Sequence, residues 1–146
     1  MKRKMVILAV IAALAVIFVV IAIITSRDNE GTEQMSVCQD MIVMLREGDG
    51  SGSYALLEPE TQSLISAEDW QSTVDRYQRL FAGGTQKPWL IESTTVDPTE
   101  EGGVSSTTVR YRFDSTAGEW DGVCQFYDNG SGLIASFSPT TPGIEP

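Results

Sequence analysis

A chain of 146 residues with 20 acidic side chains against 10 basic ones, a net charge of −10, and no histidine excludes several chemistries before any motif is sought. Nucleic acid and anionic lipid surfaces are polyanions and are repelled by such a chain. Triads built on imidazole are excluded, and two lone cysteines cannot supply the four ligands of a tetrahedral metal site.

The chain begins with a basic tail, residues 1–4, in which Lys2, Arg3 and Lys4 lead into an unbroken apolar run from Met5 to Ile24. Twenty helical residues span about 30 Å, the thickness of a bilayer's hydrocarbon core, so residues 5–25 read as a transmembrane anchor. A cleaved signal peptide would have a shorter apolar core and small residues at its end, whereas Ile23-Ile24-Thr25-Ser26-Arg27 has no Ala-x-Ala pattern. Cys38 follows Met35-Ser36-Val37, which is not the small-residue box of a lipoprotein. The basic tail places the N-terminus in the cytoplasm and the remainder outside, making a single-pass protein of the cell membrane. All 20 acidic residues and seven of the ten basic ones follow Ile24, so the outer part carries a net charge of −13. In that oxidising compartment the pair Cys38 and Cys124 reads as one disulfide.

Residues 26–35 are polar and aperiodic, a linker off the membrane, and residues 36–138 carry the signals of a folded domain. Cys38, Met41, Ile42 and Leu45 sit at i, i+3, i+4 and i+7, one apolar stripe of a first helix. The run Gly48-Asp49-Gly50-Ser51-Gly52 stops it as a flexible connection, and Ser53 is placed to cap a short second helix through Leu57. Pro59 either ends that helix or starts a new turn. The third helix is framed by Ser66 and Asp69 as a capping box and by Gly83-Gly84 as a stop. Trp70, Val74, Tyr77 and Phe81 lie along one side, and Leu64 is positioned as a staple.

From Trp89 the period changes to two, giving strands over Trp89–Val96, Val104–Phe113 and Glu119–Tyr127. Asp128-Asn129-Gly130 predicts a tight hairpin into a fourth strand with Leu133, Ala135 and Phe137 on one face. Residues 139–146, with three prolines, read as a loose tail. The fold class is therefore α+β: after the transmembrane helix, about three helices packed on a curved antiparallel sheet of about four strands. Cys38 on a helix and Cys124 on a strand both fall on apolar faces, so their bond would staple helix to sheet.

This order of elements resembles the nuclear-transport-factor-2-like superfamily, a cone of helices held in a curved sheet. Tyr54-Ala55-Leu56-Leu57-Glu58-Pro59-Glu60 followed by Ile65-Ser66-Ala67-Glu68-Asp69-Trp70 is similar to the helical half of membrane-anchored extracytoplasmic bacterial members. Gly132-Leu133-Ile134 stands where many members carry Gly-x-Trp. The resemblance implies a domain over roughly residues 37–138, used elsewhere both in isomerase-like enzymes and in non-catalytic components of envelope assemblies.

No motif assigns a catalytic residue, a cofactor or a metal. Asp49 to Glu60 has the oxygen spacing of a calcium loop, but Tyr54 occupies the sixth position, where such a loop needs glycine. The glycines at 48, 50 and 52 follow a helix and lack the Lys-Ser/Thr of a phosphate loop. Asn129-Gly130-Ser131 has the form of a glycosylation acceptor, and also that of a turn. Glu58 with Glu60, and Glu68 with Asp69, read as solvated surface carboxylates. Trp70, Tyr77, Phe81, Trp120 and Phe126 either fill the core or line a pocket in the cone. Two functions fit: a non-enzymatic module that meets a protein partner in the envelope, or a small-ligand binder or isomerase-like enzyme using the cone's pocket. A filled cone with an exposed apolar groove or sheet edge favours the first; an aqueous pocket lined by a buried Asp or Glu near a Tyr favours the second.

Overall fold

The computed structural model describes residues 32–98 and 103–142. The anchor at 5–25 lies outside them, and among the described residues no helix is long and apolar enough to cross a membrane. Residues from Glu33 onward form one compact unit.

Helix α1 covers residues 32–47, so positions 32–35, assigned above to the linker, are already helical. Its stripe of Cys38, Met41, Ile42 and Leu45 is fully buried, as their spacing requires. Gly48 at φ +77° then turns the chain out of the helix, a conformation that costs glycine nothing. Here the sequence reading needs correction, because the glycine run is not a flexible connection. Asp49 caps α2, Gly50–Ala55, its carboxylate accepting the Gly52 N–H at 2.8 Å. Ser53 is no cap but a buried residue inside α2, donating to the Asp49 carbonyl and accepting from the Trp70 indole N–H at 2.9 Å. The cap moved because Asp49 offers its carboxylate one turn earlier.

A separate helix α3, Pro59–Leu64, brings the helices among the described residues to four rather than about three. Proline suits its first position, where an N–H has no helical partner. Helix α4, Ala67–Leu80, starts where Ser66 accepts the Asp69 N–H at 3.1 Å. Asp69 is too short to reach back to the backbone as a glutamate would, and instead takes the Ser66 hydroxyl at 2.7 Å. The staple falls one residue later than expected. Leu64 is 87% exposed, while Ile65, directly before the cap, packs against the core.

Four antiparallel strands follow as a meander in the order β1-β2-β3-β4: Trp89–Val96, Ser106–Ser115, Gly118–Tyr127 and Ile134–Thr140. The tight hairpin lies between β2 and β3, where Ser115 pairs with Gly118 and only Thr116 and Ala117 form the loop. Gly118 at φ +122° absorbs the turn. The Asn129-Gly130 signal does not make the primed turn expected of it, since that turn needs positive φ at both residues and only the glycine has it. Asn129 instead accepts the Ser131 N–H at 2.9 Å in a side-chain-closed turn.

A shift of register between Gln125 and Phe126 brings both Ile134 and Phe137 opposite the inner residues Phe126 and Cys124. The buried position is therefore Ile134, not Leu133, because a bulge resets the alternation. Strand β4 continues through Pro139 and Thr140, into the segment read as a loose tail, and its edge position tolerates the proline. Between sheet and helices, Val109, Tyr111 and Phe113 of β2 and Cys124 and Phe126 of β3 meet the α1 stripe, Leu57, Trp70, Val74 and Phe81. Cys38 and Cys124 are joined by a disulfide, with 5.8 Å between their Cα atoms.

Candidate functional site

The residues named above as core or pocket all come together in the interior. Trp70, Phe81 and Phe126 are buried, and Tyr77 and Trp120 pack against them half-buried. The Phe81 ring stacks on Tyr77 at 5.4 Å and meets Phe113 at 4.7 Å and Trp120 at 5.6 Å edge-on. These aromatic rings pack against one another in the space between helices and sheet.

A cleft of about 380 Å³ opens elsewhere, lined by Glu58, Pro59, Glu60, Asn129, Gly130 and Ser131. Sequence placed Glu58 on the surface; it is only 2% exposed. Its Oε1 accepts from Asn129 Nδ2 at 2.8 Å and from the Ser131 hydroxyl at 3.0 Å, and so closes the β3–β4 connection onto α3. The sequence could not show this, because the partners lie 71 and 73 residues away. Asp49 and Glu60 belong to separate helix starts, and among the described residues no three acidic, cysteine or histidine groups are placed to hold a metal.

The two edges of the sheet are treated differently. At β4 the chain covers itself: Ile134 N–H donates to Leu56 O at 2.8 Å, Glu58 N–H donates to Ile134 O at 2.9 Å, and the Thr61 hydroxyl donates to Ala135 O. Among the described residues, nothing covers the β1 edge in this way. Every residue from Leu90 to Val96 is exposed, with Leu90 and Ile91 at 41% and Val96 at 56%. Successive strand residues point to opposite faces, so exposure of the whole run means that the helix layer does not extend beneath β1.

Although uncovered, β1 is held in place at both ends. Asp114, at the end of β2, accepts the Thr85 and Gln86 N–H groups at 3.0 and 3.1 Å and pairs with Arg46 at 2.8 Å. Arg46 also donates to the carbonyls of Gln86 and Asp114, and Gln39 donates to Pro88 O at 2.7 Å. Gly84 lies so close to Arg46 and the Asp114 carbonyl that a Cβ would collide with both. Farther along, Arg110 reaches Glu92 at 3.1 Å, and Arg112 grips Asp121 through two nitrogens at 2.8 and 3.2 Å. The Thr95 and Thr107 hydroxyls close the far end at 2.9 Å.

The Thr85 N–H is the main cause holding the Asp114 carboxyl below its ordinary value; Gln86 and Arg46 add to it, against the opposing cost of desolvation. A depressed carboxylate contributes its stabilisation above its unfolded pKa and loses it as pH falls through the folded one. The 85–86 amides should therefore exchange slowly near neutrality and become unprotected in the acid range. Asp114→Asn should show fast exchange at both. Equal protection of the two proteins at pH 7 would exclude Asp114 as the holder of this turn.

What fold and edge define is a small disulfide-bonded α+β domain that presents one open strand. No protein-family model, curated protein or solved structure matches the chain.

Proposed function

We propose that this protein is a non-enzymatic module of the cell envelope that captures a protein partner by strand addition at β1, its domain held outside the membrane by residues 5–25. The uncovered edge of β1 carries this reading. Unpaired N–H and C=O groups along an edge are a template for another chain, and folded proteins usually blunt them. This chain blunts β4 with its own Leu56–Glu58 segment and leaves β1 with one charged residue, Glu92, and three exposed apolar ones. The aromatic interior supports the same reading over the ligand-binding one, and the layout is in keeping with the envelope members of the superfamily it resembles. The acidic surface keeps the module from nonspecific association while the edge waits for its partner.

The test is a photo-crosslinking residue at Thr94 in intact cells, compared with one at Ser72 on the exposed side of α4. A discrete crosslinked protein from position 94 alone is the expected result. Equal patterns from both positions would reject the edge. Protease added to spheroplasts should digest the domain, and protection of it would reverse the orientation.

A further inference from the structure

Apart from the open strand edge, the β3–β4 connection carries a chemistry of its own. We propose that Asn129-Gly130 is a self-modification site: the Asn129 amide converts to a carboxylate within the folded domain, and the product releases the β3–β4 connection from α3. The chain has two asparagines, Asn29 and Asn129, and only the second precedes glycine. A backbone nitrogen directly after asparagine can close an imide ring on the side-chain carbon, and glycine puts no Cβ in its way. At Gly130 even an added Cβ would meet nothing within 4 Å, and the Gly130 N–H donates to no group among the described residues. The nucleophile is open and unspent.

The groups around the amide stand where the reaction needs them. Asn129 Oδ1 accepts the Ser131 N–H at 2.9 Å, a donor aimed at the oxygen that gains negative charge on attack. Asn129 Nδ2, the nitrogen that departs, lies 2.8 Å from Glu58 Oε1, and the Ser131 hydroxyl donates to the same oxygen at 3.0 Å. Among the described residues Glu58 has no cationic partner, so nothing else claims its carboxylate. The Gly130 nitrogen attacks Cγ of Asn129 and gives up its proton through solvent in the cleft that Glu58 and Gly130 both line. Glu58 takes up a proton there and delivers it to Nδ2; the Cγ–Nδ2 bond breaks and ammonia leaves. Water then opens the imide at either carbonyl, to aspartate or isoaspartate. Water is the only co-reactant.

The product reverses the contact that holds the connection. Nδ2 donates to Glu58, whereas a carboxylate in its place only accepts, and like charges at that distance repel. Glu58 is 2% exposed and cannot swing into solvent unless α3 or the connection moves. The same residues cover the β4 edge, since Glu58 N–H donates to Ile134 O and Ile134 N–H to Leu56 O. Conversion is therefore a one-way loosening at the edge opposite β1.

The experiment holds the full chain in zwitterionic detergent at neutral pH and follows the mass and isoaspartate content of the fragment containing residue 129. Asn129 should convert at least tenfold faster than in a synthetic peptide of residues 125–134. Glu58→Gln, a neutral side chain of the same shape, should slow conversion several-fold in the folded chain. If that variant does not fold, the comparison with the peptide decides alone. Conversion no faster than in the peptide, or unchanged by Glu58→Gln in a folded chain, would overturn self-modification. Asn129→Asp should speed amide exchange at Glu58 and Ile134 at least tenfold, and unchanged exchange there would overturn the release.

Discussion

Removing the disulfide by Cys38→Ala with Cys124→Ala should lower the unfolding free energy by roughly 4–5 kcal/mol in the chain-entropy description. The bond spans a sequence separation of 86 residues, so it closes most of the domain into one loop. A domain of this size has only about 5–15 kcal/mol in total, so the loss is a large share of it. Both cysteines are fully buried on facing elements, which makes alanine a better probe than serine because no hydroxyl is left without a partner. Denaturant titration of the full chain should show the midpoint falling, and the reduced wild type should fall with it. Two thiols labelled without reductant in the purified protein would remove the basis for this expectation.

That bond was legible from sequence because two patterns converge on it. A 3.6-residue period puts Cys38 on the stripe with Met41, Ile42 and Leu45, and a two-residue period puts Cys124 in a row with Phe126. Strands β1 to β3 were legible for the same reason: the alternation of Val109, Tyr111 and Phe113 with Arg110 and Arg112 runs unbroken along β2. Where the reading failed, one extra residue or one side-chain cap had overridden a simpler local rule. The bulge in β4 exchanged Leu133 for Ile134, and Asp49 drew the start of α2 into a glycine run that disfavours helix.

The open edge was the least legible feature. Trp89-Leu90-Ile91-Glu92-Ser93-Thr94-Thr95-Val96 has the composition of a half-buried strand, and nothing in it tells that the helices stop short of it. Which strand becomes an edge follows from the order in which hairpins fold back, and cover depends on the lengths of helices elsewhere. Glu58, read as a surface carboxylate, is buried by partners on another element, Asn129 and Ser131. Only pairing in space distinguishes it from a solvated acid.

Phe81→Ala should cost about 3–5 kcal/mol, close to the effect of losing the disulfide but by a different route. Phe81 stands at the C-terminal cap of α4, its N–H still bonded to Tyr77 O at 2.8 Å, so its backbone position is fixed by the helix. Its ring is 1% exposed and touches three other rings. Truncation would leave a cavity among groups that cannot collapse together, since Phe113 and Trp120 are held by the β2–β3 ladder and Tyr77 by the helix. Leu64→Ala removes a smaller apolar group, from a side chain 87% exposed, and should change stability by less than about 0.5 kcal/mol. A cycle combining Phe81→Ala with Phe113→Ala should show a coupling of about 0.5–1.5 kcal/mol from the edge-on pair. The measurement is chemical unfolding of the wild type and the four variants under one condition. Should Phe81→Ala cost no more than Leu64→Ala, the interior would have room to rearrange, and a ligand pocket among these rings would displace the strand edge as the place where this protein works.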